Sequence, residues 1–133
     1  MALLLDTDQI ISYLNGRREV VAKINNLADE GLFTSIICVA EILEGIYGQE
    51  GEIKKLAQFE EFLVDIPVFP IKGEIADQFA KIRSHLRGVG RLIDNMDILI
   101  AATAMIHDLI LVTNNKRDFE RIKGLKLYEG FSN

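Results

Sequence analysis

Three consecutive leucines, Leu3 to Leu5, run straight into Asp6-Thr7-Asp8 at the start of the chain. A strand with one face in water alternates apolar and polar residues, so an unbroken apolar run reads as a strand buried on both faces. Such a strand needs helices packed on each side of its sheet. Asp6 then stands at the carboxyl end of the strand, the edge where open α/β sheets bind ligands. An ionised side chain beside the core is costly unless it is paired, hydrogen-bonded or bound to a metal. Asp6 is therefore the first candidate functional residue.

The remaining segments alternate in kind. A helix is predicted over 10–14 with Asp8 as its N-cap, and a second over 18–29. Gly31 introduces a short strand, Leu32–Ser35. Val39, Ile42, Leu43 and Ile46 recur at helical spacing and predict an amphipathic helix ending near Gly48. A helix over 52–64 follows, then a strand or edge segment at 66–71 that holds both prolines. A helix over 74–87 is ended by Gly88 and Gly90, and another runs from Asp94 or Asn95 through His107. Strands are predicted at 109–113 and 126–128. Strands separated by helices imply an α/β fold, a short central parallel sheet flanked by helices on both faces. With 133 residues, a 49% hydrophobic fraction and no linker or repeat, residues 1–133 are expected to form a single domain.

Several function classes drop out. The longest uncharged apolar stretch, 98–106, is far shorter than the ~20 residues that span a bilayer, so no membrane role is expected. No basic region precedes the leucines, which argues against a signal peptide. Cys38 is the only cysteine, which rules out an internal disulfide and fits a reducing cytoplasm. With one Cys and two His there is no structural zinc spacing, and no Gly-x-Ser-x-Gly elbow, Walker or Rossmann glycine pattern occurs. The net charge of −5 argues at first against a nucleic-acid partner. Setting aside Asp6, Glu41, Asp94, Asp97 and Asp118, however, leaves the rest of the chain neutral.

Each of those acids has an ordinary explanation. Glu41 lies away from the apolar stripe of its helix, where a solvated Glu is common, although Ala40, Gly45 and Gly48 leave that side open to a ligand. Asp94 is a good N-cap, and an acid in the first helical turn is favoured by the helix dipole. Asp97 differs, because the segment after it is apolar almost all round and so belongs to a buried helix. Asp118 follows the apolar strand at 109–113 and its polar turn, at the ligand-binding edge again. Thr113, Asn114 and Asn115 in that turn carry oxygens that could meet a hydrated ion, although Asn in turns usually satisfies the backbone. Acids without histidines or thiols are hard ligands, which select Mg²⁺ or Mn²⁺.

Four segments in order, Leu3-Leu-Leu-Asp6-Thr-Asp, Ser35-Ile-Ile-Cys-Val-Ala-Glu41-Ile-Leu-Glu-Gly45, Ile93-Asp-Asn-Met-Asp97-Ile-Leu-Ile-Ala-Ala-Thr-Ala and Leu111-Val-Thr-Asn-Asn-Lys-Arg-Asp118-Phe, together resemble the PIN-domain ribonucleases. The resemblance is to the VapC-type toxins of toxin–antitoxin pairs and covers the whole chain. It implies that Asp6, Glu41 and Asp97 are the core acids that hold the metal and that Asp94 is an accessory acid. Either Asp118 or Asn115 matches the fourth position. It further implies a PIN-like fold, Mg²⁺-dependent (or Mn²⁺-dependent) cleavage of a structured RNA, a VapB-type antitoxin and a homodimer.

The chemistry agrees with the residues. Clustered carboxylates raise one another's pKa and stay ionised together only with cations present, and such cations can serve both sides of a phosphodiester. Arg83, Arg87 and Arg91, at four-residue steps, could track phosphates, as could the second basic group Lys116, Arg117 and Arg121. Ordinary solvated charge is the competing account of both groups. Two rival readings are a phosphatase using Asp6 and Asp8 as nucleophile and acid, and a receiver-like signalling domain. For the first, Ile10 stands where that pattern wants Thr or Val. For the second, no phosphoacceptor Asp follows the third strand. A non-catalytic module on the same fold is disfavoured because all the core acids are present.

Overall fold

The computed structural model describes residues 1–130. Four parallel strands, β1 (Leu3–Leu5), β2 (Leu32–Ser35), β3 (Val68–Phe69) and β4 (Ile110–Val112), form one sheet in the order β3-β2-β1-β4. Helices α1 (Thr7–Leu14) and α2 (Arg18–Leu27), with a 3-10 turn at Ala28–Glu30, connect β1 to β2. Helices α3 (Ile36–Ile46) and α4 (Glu52–Leu63) lead to β3, and α5 (Gly73–Gly88) and α6 (Asn95–Ile106) lead to β4. The short helix α7 (Lys116–Phe119) follows. A receiver domain needs the order 2-1-3-4-5, which this sheet does not have. Among the described residues no helix is long and apolar enough to cross a membrane.

The three leucines divide between two cores, as a strand buried on both faces requires. Leu4 packs with Leu111 under α5 and α6, among Ile82, Leu86, Ile98 and Ile100. Leu3 and Leu5 face the other way, towards Ile10, Ile24, Ile42 and Phe59 from α1 to α4. In α6 the small Ala101, Ala102 and Ala104 are fully buried, letting its backbone lie close to neighbouring elements. Gly31 sets the start of β2: it takes φ +91, open to glycine at little cost, and its carbonyl accepts from Leu3 N at 2.9 Å.

Four sequence expectations need correction. Asp6, and not Asp8, caps α1: its side chain accepts from Thr7 N, because the helix begins immediately after β1. Helix α2 ends at Leu27 and tightens into the 3-10 turn, and α3 begins at Ile36, capped by Ser35, well before Val39. Segment 126–128 is a single parallel bridge, Leu111 to Leu127, and not a full strand. It still covers the outer edge of β4, with Leu111 N donating to Lys126 O and Tyr128 N to Leu111 O. The two prolines flank β3, which explains why this edge strand is only two residues long.

Truncating Leu4, at 0% exposure, should leave a cavity facing α6, and Leu4→Ala should lower unfolding stability by about 3 kcal/mol. Urea unfolding with an unchanged slope tests this, and a loss below about 1 kcal/mol would contradict the central position given to β1.

Candidate active site

Parallel strands bring their carboxyl ends to one edge, and the acids lie along it. Asp6 follows β1 and caps α1, Glu41 is carried by α3, Asp94 caps α6, and Asp118 sits on α7 beyond β4. Asp97, three residues after the Asp94 cap, lies in the first turn of α6. The positive ends of the α1, α3 and α6 dipoles point to this edge and offset part of the negative charge gathered there.

Asp6 is only 5% exposed. Thr113 Oγ1 donates to its Oδ2 at 2.6 Å and Thr7 N donates to Oδ1 at 2.8 Å. Asn115 N donates in turn to Thr113 Oγ1 at 3.0 Å, fixing the hydroxyl that holds Asp6. Glu41 is half-buried, turned in from the solvated face by the Thr7 hydroxyl, which donates to Oε1 at 2.6 Å. Asn115 Nδ2 lies 3.3 Å from both Asp97 Oδ2 and Asp118 Oδ2 and bridges the two acids. Asp94 spends its carboxylate on Met96 N at 3.1 Å, the capping role expected of it. Asp8 accepts from Asn114 N at 3.0 Å and from Gln9 Nε2 at 3.2 Å, so it is tied to the β4 turn.

Burial dominates the electrostatics. It pushes the Asp6 carboxyl from its ordinary 3.8 to about 7, with Asp8 and Asp97 adding to the rise and the Thr113 and Thr7 donors opposing it. Asp97 is pushed up to about 6, first by burial and then by Asp94, Glu41, Asp118 and Asp8. Cys38, buried under the same edge, is pushed up to about 12 by burial, which makes it an inert thiol.

Among the described residues no three His, Cys, Asp or Glu side chains close around one point as they stand. Each acid of the edge faces a hydroxyl, amide or guanidinium donor instead. The donor set nevertheless fits a hard divalent cation, since every donor is oxygen and two carboxyls are pushed up by burial and by their acidic neighbours.

The candidate cations are placed unevenly. Arg83 Nε donates to Asn95 Oδ1 at 2.9 Å, beside Asp94. Arg87 is exposed, and Arg91 joins Arg117 and Arg121 around a separate cavity. Sequence reasoning missed three participants: Thr7, which positions Glu41, and the Gln9–Lys23 pair. Lys23 Nζ donates to the fully buried Gln9, whose amide reaches Asp8, and burial lowers the Lys23 pKa. Thr7 sits next to Asp6 in sequence, but nothing local to it shows that its hydroxyl meets a residue 34 positions away.

The raised Asp6 value fixes a sign. A carboxyl whose folded pKa lies above its unfolded one penalises folding when ionised, so stability without metal should fall as pH rises from about 4 to about 7. In EDTA, Asp6→Asn should exceed the wild-type stability by ~1–3 kcal/mol at pH 8 and by little at pH 4. Urea unfolding at both pH values measures this, and an equal gap at the two would rule out ionisation as its source.

The PIN domain family matches residues 3–125 of the chain. A ribonuclease VapC2 of Haemophilus influenzae is 36% identical over 125 residues, covering 92% of this chain and 93% of that protein. A tRNA(fMet)-specific endonuclease VapC of Shigella flexneri is 30% identical over 126 residues, covering 95% and 96%. The crystal structure of VapBC2 from Rickettsia felis, bound to a DNA fragment from its promoter, contains a similar chain: TM-score 0.90, 25% identity, coverage of 96% of this chain and 98% of that one. The agreement in sequence and in fold spans nearly the whole molecule, and the chain belongs to the PIN-domain family, among its VapC ribonucleases.

Proposed function

We propose that this protein is the toxin of a VapBC-type pair, an endoribonuclease that cleaves a structured RNA with Mg²⁺ or Mn²⁺ in the cytoplasm. PIN-domain ribonucleases generally depend on a divalent metal. In this reading Asp6, Asp97, Glu41 and Asp94 hold the cation, and Asp6, Glu41, Asp97 and Asp118 are the catalytic acids. The observation that carries the proposal is the pair of linked contacts at the sheet edge, Thr113 on Asp6 and Asn115 bridging Asp97 and Asp118.

When a cation is bound, the chemistry it supplies is Lewis acidity towards water and the scissile phosphate. The chain's own residues do the rest. Thr113 and Thr7 hold Asp6 and Glu41 in fixed rotamers, so little reorganisation is needed on binding. Asn115 bridges Asp97 and Asp118 through its Nδ2. Asp118, taken here as the fourth acid, would orient the attacking water or take its proton. Arg83, Arg87 and Arg91, with Thr113 and Asn115, are the substrate-contact candidates. A tRNA is the first RNA to test, because the Shigella flexneri relative is named for one. The VapBC2 structure supports a cognate VapB-type antitoxin as partner, and a homodimer is the proposed oligomeric state.

The test is cleavage of a total RNA pool with Mg²⁺ or EDTA. Discrete fragments should need the metal and should fall by roughly 100-fold or more in Asp6→Asn and Asp97→Asn. Cleavage that survives both EDTA and Asp97→Asn would overturn the assignment. Thr113→Val keeps every acid but frees Asp6, and should lower activity or metal affinity by roughly 10- to 100-fold.

A further inference from the structure

An acidic centre is a poor host for a polyanion. Six carboxylates line this sheet edge, and the chain as a whole carries −5, so RNA is repelled both locally and at long range. Affinity for a phosphate backbone has to come from cations fixed close to the acids. One cavity of about 640 Å³ supplies them: it is lined by Arg91, Arg117, Arg121 and His85, with Glu120 the only acid.

The cavity joins two basic groups that lie far apart in sequence. Arg91 comes from the turn after α5, and Arg117 and Arg121 come from α7 and its end. The fold brings them together because Arg121 Nη1 donates to Leu92 O at 3.3 Å, anchoring α7 to that turn. The same guanidinium lies 3.8 Å from Asp118, which Asn115 links to Asp97. Arg121 thus stands between the cavity it lines and the acid Asp118. Arg121 Nε is buried with no hydrogen-bond partner, a donor left unmatched by the protein itself. Arg91 and Arg117 are exposed, and neither shows an ion-pair partner among the described residues.

We propose that this cavity is a phosphate-docking subsite for the RNA backbone, one that holds the strand beside the acidic centre. It rests on the ribonuclease reading and adds to it the surface that binds substrate without touching the scissile bond. Arginine suits the task, because its planar fork pairs with two phosphate oxygens at once and keeps its charge at any working pH. An acidic peptide is the less favoured occupant: Arg121 stands between the cavity and Asp118, so in the ribonuclease reading a bound strand can reach both.

The experiment measures binding of labelled total tRNA to the full chain in EDTA, where cleavage is suppressed, over a range of salt. Arg91→Ala/Arg117→Ala should bind at least 10-fold more weakly, and the slope of log affinity against log salt should become shallower by about 1–2. Arg91→Lys/Arg117→Lys should recover most of the affinity, which separates lost charge from misfolding. Unchanged affinity and slope in the alanine variant would overturn the subsite while leaving metal-dependent cleavage by the wild type intact. Absence of wild-type tRNA binding also overturns the subsite, and if metal-dependent cleavage is absent too, the ribonuclease reading goes with it. Displacement of tRNA by poly-glutamate at equal charge would assign the cavity to an acidic peptide and overturn the proposal as well.

Discussion

The hydrogen bond from Thr113 to Asp6 joins residues 107 positions apart and ties the ends of the two neighbouring strands β1 and β4. Asp6 has three tasks at one position. It terminates β1, its backbone N donating to Val112 O; it caps α1; and it presents a carboxylate at the sheet edge. The first two are structural and an uncharged isostere can do them. The third is opposed by burial, which favours the neutral acid near pH 7. A carboxyl whose charge the fold alone disfavours at this edge has its reason in something the fold receives from outside, and here a cation is the simplest candidate.

Most of that strain is not absorbed by the acids' own contacts. Asp97 stands at the start of α6, the most deeply buried helix among the described residues, in which Ile98, Ile100, Ala101, Ala102 and Ala104 are fully buried. Side-chain packing against α5 and the sheet fixes the position of Asp97 whether or not its carboxylate is content there. Asp94, Glu41 and Asp118 can repel it without moving it, because shifting α6 would open the core beneath. The costly charges are thus mounted on the element least able to yield.

Much of this was legible in the sequence where the signal is local. The run Leu3–Leu5 announced a doubly covered strand, the apolar stretch after Asp97 announced a buried helix, and the capping role of Asp94 followed from its place before that helix. What stayed hidden depends on partners across the sheet. Helical periodicity placed Glu41 on a face that should meet water, and only the Thr7 hydroxyl turns it inward. Asp8 looked like the cap of α1 because a helix start cannot be read to one residue, and the helix begins at Thr7 and not at Ile10. The short bridge at Leu127 read as a strand because a few apolar residues beside a sheet look alike whether they pair once or several times.

The two basic groups illustrate the same limit in a form that bears on function. Read along the chain, Arg83, Arg87 and Arg91 fall at four-residue steps, the last beyond the helix-ending Gly88, and Lys116, Arg117 and Arg121 form a second basic group. The fold divides the first group and joins part of it to the second: Arg83 turns to Asn95 at the start of α6, and Arg91 lies beside Arg117 and Arg121. Positive charge is therefore concentrated on one flank of the acidic edge and not spread along a helix. A backbone of repeating phosphates meets attraction on that flank and repulsion at the acids, and the boundary between them is the Asp118–Arg121 contact on α7. A strand held on the basic side is brought up to carboxylates that would otherwise exclude it. In the proposed reading such an arrangement would separate binding from chemistry, with the affinity in arginines that need no metal and the reaction in acids that hold one.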